Sequence, residues 1–454
     1  MRKTSLATLP FLVGALLVAA CSDDSASTPT PGGRDGGVDP VACAATGTGS
    51  INVTVVGLPA GVTLDATTQV VRFAGAADSS AAGPTTLDVA AGAYTASSSD
   101  VVRFAADPLV RTAYAATVSP ASFCLGSGAT QDVTVTFAPI PTSNKLWSIN
   151  DNADIQLLGY ASSALATTST QASTVASSAK VGRSIAFDKL GNMWGLPDTV
   201  AEPALQRFAA GALAAGGPQT PDHTISLDAG CLPAFTDLAF APNGDLYVSS
   251  ACADKIFRFA AADLTSATPT PNLAITGAPS PEALAFDRDG NLWVADSTAA
   301  AVLRFDASAL ASGSVTAPSL TVTPEAQNGN PLPPSLLAFD RDGNLWASSF
   351  GGNALYRLTP TEQAGTGTRT LVPGIQVVVG VLALLEGMAF DESGALWLTL
   401  AQGTFGRVSA AQLGTSSTPG APTAPEVVIT GSNLSYAGGL AFYPPPSFSP
   451  IYGH

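Results

Sequence analysis

The chain has 454 residues, of which 34 are acidic and 19 basic, and its formal net charge at pH 7 is −15. This balance argues against nucleic acid as a partner, since phosphate recognition needs clustered Lys and Arg, and against docking on anionic lipid by charge. Solubility of a secreted protein explains the acidity without any ligand. The two histidines, His223 and His454, precede an outermost predicted strand and end the chain, so a Ser/His/Asp triad lacks its base.

Residues 1–20 have the pattern of a secretory signal peptide. Arg2 and Lys3 give a basic start, and residues 6–20 are almost wholly apolar but too few to span a bilayer. The segment ends in Val-Ala-Ala before Cys21, which resembles the lipobox of bacterial lipoproteins. The resemblance implies that Cys21 receives diacylglycerol and becomes the mature N-terminus. The alternative is an ordinary signal peptide followed by a chance cysteine.

Residues 21–42 are predicted to be the lipidated cysteine and a disordered tether. Residues 22–40 are Ser, Thr, Asp, Gly and Pro with almost no apolar side chain, so they cannot bury a core. Lipid followed by a tether predicts a membrane-anchored protein of the bacterial cell envelope. Ser22, rather than Asp, follows the lipidated cysteine, and under the sorting rule of some Gram-negative bacteria this favours the outer over the inner membrane.

The other four cysteines suit an oxidising compartment. Pairing within each region predicts the disulfides Cys43–Cys124 and Cys231–Cys252, although connectivity does not follow from sequence alone. For Cys231 and Cys252 the alternative is two free thiols. None of the four has the CxxC or Cys/His spacing of a zinc site.

Residues 43–140 are predicted to form a small β-sandwich. Short runs rich in β-branched residues, such as residues 51–56 and 132–137, alternate with Gly, Pro and Ser clusters at roughly ten-residue spacing. The phrases at residues 57–61 and 91–94 resemble turns in bacterial surface domains of the transthyretin-like or PEGA kind. A bridge between Cys43 and Cys124 would join the first strand to one of the last.

One phrase returns through the rest of the chain. It reads AFDKLGNMW from Ala186, AFAPNGDLY from Ala239, AFDRDGNLW from Ala285 and from Ala338, and AFDESGALW from Ala389. A truncated copy begins at Ala441, and consecutive alanines lie 46 to 53 residues apart. A period of roughly 40–50 residues is typical of propellers and other repeat arrays.

Each repeat predicts four antiparallel strands. In the third copy, residues 283–286 read as a first strand, residues 287–291 as a hairpin turn and residues 292–295 as a second strand. Gly290 occupies the turn position that needs positive φ. Residues 302–305 and 320–323 read as the third and fourth strands, and four antiparallel strands make one propeller blade.

The two ends of residues 145–443 complete one further blade. Residues 146–149 read as a second strand with no first strand before them, and residues 439–443 as a first strand with no second strand after them. Pairing them gives a six-bladed β-propeller with velcro closure, which removes the open sheet edges. Residues 444–454 are left as a C-terminal tail.

The unit AFDxxGNLW resembles the blades of NHL-repeat and gluconolactonase-like (senescence-marker-protein) propellers. In the latter, the resemblance implies, Glu, Asn and Asp at the starts of first strands surround a divalent cation, often Ca²⁺, and hard cations prefer such oxygen ligands. Glu282 and Glu386 match such positions, and Asp296, at the end of a second strand, would open onto the same face. Arg183 and Gly438, in the same row, depart from the pattern. The alternative is that both glutamates are solvated rim residues.

Side chains that recur with the repeat are predicted to be structural, because one active site does not repeat around a ring. They are the third-strand arginines Arg207, Arg258, Arg304, Arg357 and Arg407, the turn aspartates Asp188, Asp287, Asp340 and Asp391, and the tryptophans Trp147, Trp194, Trp293, Trp346 and Trp397. Residues 375–385 break the pattern with a longer apolar run, which would be either a buried fourth strand with its connection or an exposed partner-binding patch.

These observations predict a non-enzymatic binding or scaffolding module. Its partner would be a protein or an envelope polymer, its attachment to the membrane would be the N-terminal lipid, and it would be a monomer without a cofactor. The alternative is a metal-dependent hydrolase of the gluconolactonase type, a lactonase or esterase, with Ca²⁺ or another divalent cation at the channel. An antibiotic-lyase propeller is similar by pattern, but that family relies on a histidine that this chain does not offer.

Overall fold

The structure is a computed structural model of the whole chain. It describes residues 43, 46–58, 70–98, 101–104, 111–150, 156–171, 174–177, 184–196, 204–215, 219–227, 236–313, 315–349, 354–380, 386–400, 403–431, 434 and 437–452. The predicted signal peptide, Cys21 and the tether lie outside these residues. No helix within the described ranges has the length and apolar character to cross a membrane.

Residues 43–140 form two sheets around one core. The strands are β1 Thr48–Val56, β2 Val71–Gly75, β3 Ser79–Ala81, β4 Thr85–Ala90, β5 Gly92–Ser97, β6 Val101–Phe104, β7 Arg111–Ser119, β8 Ser122–Leu125 and β9 Thr130–Ile140. One sheet has the order β4-β1-β9-β7-β6 and the other β3-β2-β5-β8. Alternate residues of β1 and β9 face inward and meet the apolar residues of β2, β5 and β8 in a shared cluster.

The Cys43–Cys124 disulfide is confirmed. It joins the segment before β1 to β8, with the two Cα atoms 5.6 Å apart. Because β1 and β8 belong to different sheets, the bridge ties the two layers together across one end of their core.

The described strands of the repeat region form six sheets, and each sheet is built largely from strands that follow one another in the chain. They are β10 Lys145–Asn150, β11 Gln156–Ala161, β12 Ser169–Gln171, β13 Thr174–Ser177; β14 Ile185–Phe187, β15 Met193–Gly195, β16 Ala204–Phe208, β17 His223–Ser226; β18 Leu238–Phe240, β19 Leu246–Ser250, β20 Lys255–Phe259, β21 Leu273–Ile275; β22 Pro281–Phe286, β23 Leu292–Asp296, β24 Ala301–Phe305, β25 Leu320–Pro324; β26 Pro334–Phe339, β27 Leu345–Ser349, β28 Ala354–Leu358, β29 Gly367–Leu371, β30 Ile375–Val378; β31 Met388–Phe390, β32 Leu396–Leu400, β33 Thr404–Val408, β34 Val427–Gly431; and β35 Ala437–Tyr443.

A short helix follows each third strand. These helices are α1 Ala210–Ala215, α2 Ala307–Leu310, α3 Pro360–Gln363 and α4 Ala410–Leu413, with 3-10 turns at Ser162–Leu165 and Ala261–Thr265. Each carries at least one buried side chain, and Leu310 and Leu413, for example, belong to the adjacent apolar clusters.

Six sheets within the described residues carry the four antiparallel strands that the repeat predicts. Five have consecutive first, second, third and fourth strands, beginning at β14, β18, β22, β26 and β31. The sixth has the order β13-β11-β10-β35, in which the last strand of the chain pairs antiparallel with β10. The prediction of an all-β chain is confirmed, and the first strand of each sheet contacts the first strands of the two neighbouring sheets, β35 with β14 included.

Turn aspartates and tryptophans join each turn to the core behind it. In the third copy Asp287 accepts backbone N–H bonds from Asp289 and Asn291, and its other oxygen accepts the indole N–H of Trp293 at 2.9 Å. The same pairs recur at Asp188, Asp340 and Asp391. The Trp293 ring then packs edge-on against Phe339 of the next sheet, with the centroids 6.2 Å apart.

Two of the third-strand arginines bond directly to the next sheet. Arg258 donates to the carbonyl of Leu310 at 2.8 Å. Arg304 lies over the Trp293 ring and donates to the carbonyls of Gln363 and Gly365. Through these hydrogen bonds, Arg258 and Arg304 each link their own sheet to the next one.

Parallel segments cover several outer edges, which the repeat did not predict. Strand β29 adds a fifth, parallel strand to β25 of the preceding sheet, and β12 does the same for β34. Single parallel bridges join Ile275 to Val315 and Val379 to Thr423. In each case the covering segment comes from the connection between the third and fourth strands of the next sheet.

Two sequence-based boundaries need correction. His223 is the first residue of β17, paired with Arg207, so it belongs to the outer strand that it was expected to precede. In the apolar run at residues 375–385, only Ile375–Val378 form the fourth strand, with Val377 and Val379 buried. Residues 381–385 lie outside the described residues.

Candidate functional site

The first strands contact one another in sequence from sheet to sheet, and their two ends differ. The end where these strands begin, hereafter the loop end, carries the described residues that precede or begin them, such as Thr236, Ser280 and Glu282. At the other end, hereafter the turn end, lie the hairpin turns and the C-terminal residues. The predicted metal residues belong to the loop end.

Asp296 is a structural brace in the loops. It is fully buried as the last residue of β23. One carboxylate oxygen accepts the N–H of Ser280 at 2.8 Å and the other accepts the N–H of Ala299 at 2.7 Å. The carboxylate therefore links the loop before β22 to the loop after β23, and both oxygens are already hydrogen-bonded.

The two glutamates occupy the loop end without forming a described ligand group. Glu282 is half-buried and accepts a hydrogen bond from Ser297 Oγ at 3.0 Å. Glu386 is exposed, and its backbone N–H donates to Thr399 Oγ1. Within the part of the chain that the structure describes, no three His, Cys, Asp or Glu side chains come together as metal ligands.

Hydroxyl groups occupy two of the remaining positions in this row, Thr236 and Ser335. Thr236 Oγ1 bonds Ser249 Oγ and donates to the carbonyl of Pro281 in the next sheet at 2.6 Å. Ser335 and Ser348 pair in the same way at 2.8 Å. The second-strand hydroxyl also accepts a backbone N–H where the first strand begins, so it satisfies groups that the ladder leaves unpaired.

Gly438, which departs from the expected acidic row, has a steric explanation together with Gly387. A Cβ on Gly387 would lie 2.7 Å from the Leu440 nitrogen and 2.8 Å from the Gly438 carbonyl oxygen. A Cβ on Gly438 would lie 3.2 Å from that of Ile149. Neighbouring strands therefore approach too closely at Gly387 for a larger residue, and a larger residue at Gly438 would require a small shift of Ile149.

Asp237 is the residue of the loop end that the sequence reasoning missed. Its carboxylate accepts the Ser184 hydroxyl from the preceding sheet and the N–H of Leu284 from the following sheet, the latter at 2.8 Å. It therefore bridges three consecutive sheets. Burial of the carboxyl raises the pKa of Asp237 to about 6, against the opposing effect of the hydrogen bonds from Ser184, Leu284 and Leu238.

A signal for Asp237 was present in the repeat. The residue lies two positions before the repeat alanine, where the other copies carry uncharged residues: Ser184, Ala283, Leu336, Gly387 and Gly439. A single carboxyl group in an otherwise uncharged row breaks the register as clearly as Glu282 does. A comparison of this row as well as the one before it would have found it.

The turn end contains a cavity of about 260 Å³. Residues from all six first strands line it, including every repeat alanine: Ala186, Ala239, Ala285, Ala338, Ala389 and Ala441. Residues 444–451, hereafter the C-terminal strap, form its remaining wall. The sequence predicts a C-terminal tail over residues 444–454, whereas residues 445–451 contribute to the wall of this cavity.

Side chains from several sheets hold the strap. Ser447 donates its backbone N–H and its hydroxyl to the two carboxylate oxygens of Glu392, at 2.7 and 2.6 Å. Arg341 lies over the Phe448 ring and donates to the Glu392 carbonyl at 2.7 Å. Ile451 packs against two of the apolar clusters between sheets.

Three predicted features involve residues outside the described ranges. Cys252 is disulfide-bonded, but Cys231 lies outside the described residues, so their pairing stays a prediction. Arg183 also lies outside them, and so does Cys21, the predicted lipidation site.

The comparisons with known proteins give structural likenesses. No family model matches the chain, and no curated protein sequence matches it. Similar solved structures include a virginiamycin B lyase from Staphylococcus aureus, at 13% identity over 51% of this chain and 68% of that chain, with a TM-score of 0.32. A gluconolactonase structure is similar at 21% identity over 48% and 70%, with a TM-score of 0.31.

A glutaminyl cyclase from Myxococcus xanthus is similar at 14% identity over 50% of this chain and 88% of that chain, with a TM-score of 0.32. All three likenesses are at low sequence identity and at TM-scores below 0.5.

Proposed function

We propose that this chain is a cell-envelope lipoprotein whose β-propeller acts as a non-enzymatic binding or scaffolding module. In this proposal Cys21 carries the lipid, residues 43–140 form a β-sandwich and residues 145–443 form a six-bladed propeller. The partner is a protein or an envelope polymer that docks on the loop end of the propeller.

The arrangement of the first strands supports six blades. Each first strand contacts its two neighbours in sequence, from β14 through β18, β22, β26 and β31 to β35 and back to β14. The pairing of β35 with β10 supports velcro closure, because it combines segments from both ends of the repeat region in one sheet.

The engagement of Asp296 is the observation that carries the non-enzymatic proposal. Both of its carboxylate oxygens accept backbone N–H groups and the side chain is fully buried, so this carboxylate has a structural role in holding the two loops in place. The strap lies across the turn end, which leaves the loop end as the accessible face for a partner.

The lipid anchor is tested by mass spectrometry of the N-terminal peptide from the membrane fraction. The proposal expects a diacylated cysteine at position 21, and loss of membrane association in a Cys21→Ser variant. A mature chain that begins after another residue and remains in the membrane fraction would contradict it.

The docking face is tested by photo-crosslinking in cells, with the reactive side chain at Thr298 or Asp254 near the loop end and at Asp289 or Asp342 at the turn end as matched controls. All four positions are exposed. The proposal expects crosslinked products from the first two positions only. Equal products from both ends, or none from the loop end, would count against a partner on this face.

A metal-dependent hydrolase is the second candidate, and Asp237 is the observation that favours it. A buried carboxyl with a raised pKa beside a channel has the properties of a general acid or base, and Glu282 is the second residue of the next first strand. Elemental analysis of protein purified without chelator should then find a divalent cation that a Glu282→Gln/Glu386→Gln variant lacks. Metal-free protein, or equal metal content in the variant, would reject this candidate.

A further inference from the structure

The cavity at the turn end is lined by uncharged side chains, most of them apolar. Its described lining residues are Ala, Ile, Leu, Met, Phe and Pro side chains together with Ser449, and none of them carries a charge. Unlike the loop end, it has no carboxyl groups, and its walls come from every first strand and from the strap. It is therefore chemically distinct from the site considered above.

The repeat alanines line the cavity and also pack between the sheets. Each first strand has one at the level of the cavity, between two larger apolar residues such as Leu284 and Phe286 around Ala285. Leu284 and Phe286 pack into one cluster, and the partly buried Ala285 packs against the cluster that contains Trp293. A leucine at an alanine position would add bulk where the cavity wall meets these clusters.

We propose that this cavity is a binding site for a small, uncharged, apolar molecule. Its volume of about 260 Å³ exceeds the roughly 150 Å³ of an engineered apolar cavity that binds benzene, so it accommodates a monocyclic aromatic or a short aliphatic compound. A charged ligand would lose its hydration without gaining a counter-charge from the lining. This inference does not depend on the lipid anchor or on the partner at the loop end.

The competing occupant is water. The first strands are end strands of their sheets, so their free edges present backbone N–H and C=O groups toward the channel, and ordered water could satisfy these groups. A ligand must displace such water, which is favourable when apolar side chains dominate the wall. The two possibilities differ in whether an apolar probe binds with saturation.

The methionines provide a direct measurement. The chain has three, of which Met388 lines the cavity, whereas Met193 is fully buried behind the lining residues Ile185 and Phe187 and does not line it. With methyl-labelled methionine, toluene added to the purified full chain should shift the Met388 methyl resonance with saturation and shift that of Met193 much less. A Met388→Leu variant assigns the resonance. Benzylammonium, the charged analogue, should cause no shift at the same concentration.

Substitutions that fill the cavity complete the test. Ala285→Leu should weaken toluene binding at least tenfold, whereas Ala274→Leu, which adds the same bulk on the exposed side of β21, should leave it unchanged. If Ala285→Leu fails to fold, Ala389→Leu adds the same bulk from another strand, and Phe448→Ala, which enlarges the cavity from the strap side, should change the affinity. No saturable shift in the unsubstituted chain, equal shifts at Met193, or equal binding of benzylammonium would overturn the proposal.

Discussion

At the scale of single residues, most of the carboxyl groups described above have structural roles, and one, that of Asp237, has a raised pKa. The carboxylate oxygens of Asp287 accept a backbone N–H in the turn and the indole N–H of Trp293. Those of Asp296 accept backbone N–H groups of two loops. Asp237 also accepts hydrogen bonds, yet its burial outweighs them and raises its pKa to about 6. Stability should therefore respond to the protonation of Asp237.

The Asp237→Asn substitution tests this response. Because the pKa of Asp237 is higher in the folded state than the unfolded value of 3.8, its contribution to stability is largest below pH 3.8 and is lost as the pH rises to about 6. The full loss is on the order of 3 kcal/mol. Asparagine imitates the protonated form, so the variant should match the unsubstituted chain near pH 4 and exceed its stability at pH 7.5.

Urea unfolding of both proteins at pH 4.5 and pH 7.5 measures this effect. The difference between the two proteins cancels the titration of the remaining groups. A difference that does not change with pH would show that Asp237 has an ordinary pKa.

The pairing of turn aspartate and tryptophan gives a second prediction at this scale. Asp340→Ala leaves the buried indole N–H of Trp346 and two backbone N–H groups without their acceptor, which should lower the free energy of unfolding by about 1–3 kcal/mol. Asp342→Ala in the same turn removes an exposed side chain and should change it by less than about 0.5 kcal/mol. Equal effects of the two substitutions in urea unfolding would contradict the assigned role.

At the scale of elements, the strands that could be predicted from the sequence are those with a recurring pattern of side chains. The first strand, turn and second strand could be predicted because Phe, Asp, Gly and Trp recur there for packing and hydrogen-bonding reasons. Strands β12 and β29 escaped prediction because they are polar segments, STQ and GTRTL, held by backbone bonds to a neighbour's edge. Such pairing depends on which sheet edge lies nearby in the folded chain, and the residues of the segment do not reveal that edge.

The C-terminal strap was missed for a related reason. Residues 444–451 contain four prolines and no strand pattern, and their position depends on Glu392 and Arg341, about fifty and a hundred residues earlier in the chain. Asp237 likewise acquires its properties from Ser184 and Leu284, which only the assembled sheets bring near. Single-copy features of this kind have no repetition to reveal them.

The strap gives a prediction for the element scale. In a double-mutant cycle, Ser447→Ala and Glu392→Ala should show a coupling energy of about 1–3 kcal/mol, because the hydrogen bond from the hydroxyl ends on a carboxylate. In either variant, amide hydrogen exchange should be faster than in the unsubstituted chain, and the increase should be larger in residues 445–452 than in β31 or β35. Additive effects of the two substitutions would mean that the contact does not hold the strap.

At the scale of the whole molecule, the two parts of the chain share apolar contacts. Ala113 and Ile140 belong to the same cluster as Trp147, Phe187 and Tyr443. The sheets of residues 43–140 are thus held against the sheet that closes the repeat region, so the two parts are coupled through a common core.

The disulfide gives a prediction at this scale. A Cys43→Ser/Cys124→Ser variant should lose about 2–5 kcal/mol of stability in residues 46–140, because the bridge ties the two sheets of this part together. Hydrogen exchange resolved by region should show faster exchange there and unchanged exchange in β22–β25, which lie away from the shared cluster. Uniform acceleration over the whole chain would indicate that the two parts unfold as one unit.

The position of β10 has a mechanical consequence. The chain enters the repeat region through β10, which lies between β35 and β11 and pairs antiparallel with both. Tension applied to the N-terminal part therefore reaches a strand held by two ladders, one of them formed by the last strand of the chain. Both ladders must yield before that strand is extracted, so the site where the two ends of the repeat region meet is also the point that resists a pull.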